Sequence, residues 1–172
     1  QLIAENGISA KDVRRVRIST NSNMPNALIH HQPQNELQAK FSMEFCMAIL
    51  LLEGRAGLTE FTDEVVMRPN VLDTIAKVDF VMDERAKAAG DHLMTTYIDI
   101  EMTNGRTISG MADFGKGSPA NPMSYSEVAD KFLECAHFAK WDSAKAKDVV
   151  GMVAELEKLP NIHGLMILLR LS

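Results

Sequence analysis

Between Leu37 and Glu64 the sequence reads LQAKFSMEFCMAILLLEGRAGLTEFTDE, and its centre is an unbroken run of eight apolar residues, Phe45 to Leu52. Eight is far short of the roughly 20 needed to cross a bilayer. A helix apolar on all sides must be enclosed by other structure, so this run demands a core around it. Ser42 stands where an N-cap belongs and Gly54 where a helix stops. The predicted helix therefore spans Ser42 to Glu53. A polar approach, Gln38 to Ser42, and an acidic, threonine-rich exit, Thr59 to Glu64, flank it.

The chain has 172 residues, which suits one domain with a helical extension. An apolar content of 46% and a charged content of 24% are those of a soluble globular protein. With a net charge of −5 and basic residues scattered apart from Arg14, Arg15 and Arg17, no nucleic-acid partner is expected. If that stretch is a strand, Arg15 and Arg17 share one solvated face. Neither a signal peptide nor a membrane span is visible, so no membrane partner is expected either. Cys46 and Cys135 fall within apolar helical patterns and read as buried, reduced thiols of a cytoplasmic protein. The opening Gln1 to Gly7 reads as the last turns of a helix ending at a glycine cap, as if the chain began inside a larger protein.

Val13–Thr20 alternates Val16 and Ile18 with Arg15, Arg17 and Ser19, the pattern of a half-buried strand. Asn21 to Gln38 shows no periodicity and is predicted as a long loop. Short helical turns are predicted from Thr59 and Thr62, and Pro69 opens a helix through Lys77. Val78–Met82 reads as a second strand. Asn104-Gly105 between alternating runs, Leu93 to Thr103 and Arg106 to Phe114, predicts a hairpin and a largely antiparallel sheet. Beyond the loop Gly115 to Pro122, Ser124-x-x-Glu127 is a capping box opening a helix with Val128, Phe132 and Cys135 on one stripe. Asp142 caps another helix carrying Val149, Val153 and Leu156, and Asn161 stands before a final buried helix, Ile162 to Leu171. The fold class is α+β: a small, mainly antiparallel sheet packed with helices, followed by a C-terminal helical segment.

Few residues carry chemistry. His30 and His31 are adjacent on a loop and diverge, so they do not chelate a metal without a third ligand. His31 remains a candidate substrate contact. His92, His137 and His163 are isolated and read as structural. Gly115-Lys116-Gly117-Ser118 lacks the spacing of a phosphate-binding loop and reads as a turn leaving the hairpin. Lys40 precedes the buried helix, where a cation could face an anionic ligand or simply be solvated. Ser42 is a helix cap, without the surroundings of a nucleophile. Asp63 and Glu64 suit the first turn of a helix.

Several segments together resemble the C-terminal part of the MmgE/PrpD family, which includes 2-methylcitrate dehydratases, cis-aconitate decarboxylases and iminodisuccinate epimerases. They are Leu37 to Ser42, Phe61-Thr-Asp-Glu64, Arg68-Pro69, Lys77-Val78, the Asn104-Gly105 hairpin, Lys116 to Ser124, and Glu127 to Phe132. The resemblance implies a small α+β domain over residues 1–120 that lacks its opening segment, with the helices of residues 121–172 returning to a larger helical domain. It implies a lyase of propionate-type metabolism, cytoplasmic or mitochondrial in a eukaryote, acting on small di- or tricarboxylates by proton abstraction beside a carboxylate. No metal or organic cofactor is implied, and a homodimer is the implied assembly. Lys40, Ser42, Phe45 and His31 are the implied substrate-binding positions. Family members often have a tyrosine where this chain has Phe45. Most of the family's catalytic residues have no counterpart in this chain, so catalysis by the isolated chain is not expected. The alternative is a non-catalytic assembly or dimerisation module derived from the family.

Overall fold

A computed structural model describes residues 1–90 and 93–170. The chain divides into two compact units, the first spanning Gln1–Asn121 and the second beginning at Pro122.

The first unit opens with α1 (Leu2–Asn6), closed by Gly7 in the left-handed conformation as the sequence predicts. Next comes β1 (Val13–Thr20), over the predicted residues. The stretch predicted as a long loop contains two single turns of helix, α2 (Met24–Ala27) and α3 (Glu36–Ala39). Four-residue helices are too short to show a 3.6-residue period, which is why pattern alone misses them. Then follow α4 (Met43–Glu53), α5 (Asp63–Val66) and α6 (Pro69–Ile75). The unit continues with β2 (Val78–Met82), α7 (Glu84–Ala88), β3 (Thr96–Met102) and β4 (Thr107–Ala112).

The four strands form one sheet in the order β2-β1-β3-β4. β1 and β2 are parallel, while β1–β3 and β3–β4 are antiparallel. The sheet is thus mainly antiparallel. Its one parallel pair follows from the helical crossover α2–α6, since parallel neighbours need a long connection. Gly105 sits at φ 85°, as the hairpin turn between β3 and β4 requires. In register, Val16, Ile18, Ile98, Ile100 and Ile108 share one face. Arg15, Arg17, Asp79, Asp99, Glu101 and Ser109 share the other. Arg15 and Arg17 do lie together on that polar face. Arg15 pairs with Asp79, Arg14 bonds Glu101 at 2.7 Å, and Ser109 donates to Asp99 at 2.6 Å.

α4 explains its own composition. One side packs toward the sheet core, where Leu51 joins Val13, Val16, Ile18 and Ile100, with Met43 and Met47 at the margin. Another side feeds a second core, where Phe45, Ala48 and Ile49 meet Val65, Val66, Val71 and Ile75 of α5 and α6. A helix serving two cores needs apolar residues all round. Ser42 accepts from the Phe45 N–H at 3.2 Å, and Gly54 closes the helix at φ 73°.

In the second unit, α8 (Tyr125–Phe138) opens with the predicted capping box. α9 (Ser143–Ala154) is capped by Asp142, which accepts from the Lys145 N–H at 2.8 Å. α10 (His163–Leu168) follows an Asn161 side chain that accepts from the His163 N–H at 3.0 Å. Here three sequence expectations need correction. Cys135 is exposed, because the inward positions of α8 are Phe132, Leu133 and Ala136. Val153 and Leu156 are exposed, whereas Ala146 and Val149 are buried. Of α10, only Leu165 is buried, while Ile162, Met166 and Ile167 face outward. Leu171, the predicted end of that helix, lies outside the described residues.

Candidate functional site

The N-terminal end of α4 gathers the segments singled out in the sequence. α3 ends at Ala39, and Lys40 and Phe41 carry the chain in two residues to the Ser42 cap. The loop before α3 is pinned at both ends: the His30 N–H donates to the Phe41 carbonyl at 3.1 Å, and Pro33 is fully buried. α5 is fastened alongside. Asp63 accepts from the Glu36 N–H at 2.7 Å, and the Phe61 ring lies 5.2 Å from that of Phe45. Leu37–Ser42 and Phe61–Glu64, distant in sequence, therefore share one corner of the fold.

The four predicted substrate-binding residues fall into two layers. Ser42 and Phe45 are fully enclosed, the first as cap and the second as core. Lys40 is exposed and forms an i,i+4 ion pair with Glu36 at 3.5 Å. His31 is exposed too, and its ring is held. Nδ1 lies 2.6 Å from Oε1 of Glu44, whose side chain is only 7% exposed while that of His31 is 64% exposed. The other Glu44 oxygen accepts from the Ser42 hydroxyl at 3.5 Å. Three exposed apolar side chains, Ile29, Leu37 and Phe41, belong to the same stretch.

Glu44 is the residue that sequence reasoning missed. In a first helical turn an acid is explained by the dipole alone. Nothing in the spacing of residues 31 and 44 announces contact; only the pinned loop creates it.

Other polar features lie elsewhere. Burial would raise the pKa of Glu60, but bonds from the Thr59 hydroxyl, the Gly57 N–H and Arg55 outweigh it and hold the carboxyl below its ordinary value. This arrangement ties down the turn after α4. Burial raises the pKa of the Cys46 thiol. A cavity of about 730 Å³ lies between α1, α4 and the sheet, lined by Leu2, Met43, Met47, Ile98 and Met111 among others. Its walls are mostly apolar, which suits a carboxylate poorly. Among the described residues, no group of three His, Cys, Asp or Glu side chains could hold a metal. His137 is exposed and His163 opens α10, while His92 lies outside the described residues. Gly115 to Asn121 is a turn closed by the Gly117 N–H on the Asn121 carbonyl at 2.8 Å, as read from the sequence. No helix among the described residues is long and apolar enough to cross a membrane.

Fold and corner together define a small α+β domain with one cation, one oriented imidazole and an apolar fringe at the mouth of its central helix. The chain belongs to the MmgE/PrpD family, matching the MmgE/PrpD C-terminal domain over residues 1–155. It is 26% identical over 157 residues to the cis-aconitate decarboxylase of Aspergillus terreus, covering 90% of this chain and 32% of that protein. It is 22% identical over 139 residues to the cis-aconitate decarboxylase of Homo sapiens, covering 80% of this chain and 28% of that protein. The Mus musculus enzyme of that name is 25% identical over 142 residues, 81% of this chain and 28% of that protein. The chain thus spans about a third of the length of the curated relatives it matches.

Proposed function

We propose that this chain is the C-terminal portion of a MmgE/PrpD lyase acting on small di- or tricarboxylates, such as 2-methylcitrate or cis-aconitate, and that it forms one wall of the substrate site. The convergence at the α4 N-terminus carries this reading. Two of the family-like segments meet there, and Lys40 and His31 lie exposed at the start of a helix that packs into two cores. A cation and an imidazole beside the positive end of a helix suit a polyanionic substrate. Ser42 and Phe45 set the position of that mouth from below. Ile29, Leu37 and Phe41 form an apolar fringe for a covering domain.

The isolated chain is proposed to be inactive. An imidazole open to water has neither the enclosed, low-dielectric surroundings nor the opposing groups that speed such reactions. In an assay of 2-methylcitrate and cis-aconitate, the full-length polypeptide carrying this segment should turn over at least one, and the 172-residue chain neither. Full activity from the 172-residue chain would overturn the proposed division of labour. Inactivity of the full-length polypeptide toward all small hydroxy- and unsaturated carboxylates would overturn the lyase reading. A second reading, an assembly module that carries a homodimer, rests on the exposed apolar side chains of the second unit, Val128, Phe138, Ile162 and Ile167 among them.

A further inference from the structure

Burying Glu44 is costly, and its partners hardly explain the burial. An ionised carboxylate offers about four lone-pair positions. Glu44 receives one short bond, from His31, and one long bond, from Ser42. A glutamine or an apolar residue would fill the same space at a lower desolvation penalty. Departures of this kind from local consistency concentrate at working sites. The direction of burial also matters, since the carboxylate is enclosed while the imidazole it holds faces out.

We propose that His31 is a proton-transfer residue of the carboxylate site and that Glu44 is its positioning residue, an inference that rests on the lyase reading above. With Glu44 as a carboxylate that only accepts, the Nδ1 that lies 2.6 Å from it carries the hydrogen. In the neutral ring the Nε2 lone pair is then directed away from Glu44, ready to accept a proton. A carboxylate holding the distal nitrogen of a reacting imidazole fixes both tautomer and ring plane. With a β-hydroxy di- or tricarboxylate, Nε2 takes the proton from the carbon beside a carboxylate. The C–H bond breaks, an N–H bond forms, and the freed pair makes the new carbon–carbon double bond. The β-hydroxyl leaves with its own bonding pair and takes the proton back from the imidazolium. The net change is loss of one water, and His31 ends as it began.

Two measurements test this. In the 172-residue chain, ¹⁵N NMR of the histidine rings should find neutral His31 protonated at Nδ1, and Glu44→Ala should release it to the Nε2–H form that free imidazoles favour. A wild-type ring protonated at Nε2 would overturn the positioning role. In the full-length polypeptide, His31→Gln should lower kcat about 100-fold with KM little changed. Glu44→Gln keeps the shape and an acceptor, and should fall between His31→Gln and wild type. The amide placed by His31→Gln can still donate to the buried Glu44, and circular dichroism checks that the fold is kept. Wild-type kcat in His31→Gln, or a rise in KM alone, would overturn the proton-transfer role while leaving the family reading in place. A wild-type polypeptide inactive on every carboxylate would instead defeat the lyase reading, and the ring tautomer would still decide whether Glu44 orients His31.

Discussion

Phe45 sits in full enclosure against Phe61, which makes its ring a test of whether the mouth of α4 is solid. Phe45→Ala should destabilise the chain by about 3–5 kcal/mol, read from the urea midpoint. Phe45→Tyr adds a hydroxyl that this packing buries without a partner, and should cost about 1–3 kcal/mol. A neutral Phe45→Tyr would mean that the ring edge reaches water. Asp83 is a second residue-scale probe. Bonds from the Arg85 side chain and backbone lower its pKa to about 2. The folded value lies below the unfolded value of about 3.9, so its contribution is complete above that pH and disappears as pH falls toward the folded value. Protection of the α7 amides, taken relative to their intrinsic exchange rates, should therefore fall on acidification through that window, and Asp83→Asn should abolish the dependence. Glu60 carries the same sign, since its folded carboxyl is also held low.

α4 is the element on which the fold turns. Its two ends are fixed by single residues, so Ser42→Ala should cost about 1 kcal/mol. Gly54→Ala, which forces a Cβ into left-handed backbone, should cost roughly 1–2 kcal/mol. Urea unfolding followed by far-ultraviolet circular dichroism measures both, and no change at either would mean that packing alone fixes the helix limits. The strands β1 and β2, the hairpin, α4 and the caps at Ser124 and Asp142 were legible because each rests on a strong local signal. Residues 21–38 were not, because α2 and α3 are single turns stabilised by tertiary contacts such as Glu36 to Asp63. The buried faces of α8 and α10 differ from the expected stripes for a related reason. Apolar spacing identifies a helix but not how much of its surface finds cover, and α10 buries only Leu165.

At the scale of the whole molecule, the family was readable from spaced segments, while the pairing of His31 with Glu44 was not. Helix capping, turn chemistry and periodicity operate over a few residues, and that contact joins a pinned loop to a helix start thirteen positions away. The second unit exposes Ile162, Met166 and Ile167, so the isolated chain should self-associate in sedimentation velocity, with Ile167→Glu reducing it. A strictly monomeric chain at high concentration would remove the support for an assembly surface. The proposed carboxylate site has the mouth of α4 as one wall. Hydrogen exchange of the full-length polypeptide, with and without saturating cis-aconitate, tests it most directly. Protection gained on binding should include Leu28 to Glu44; protection confined to other segments, with that stretch unchanged, would rule out a carboxylate wall there.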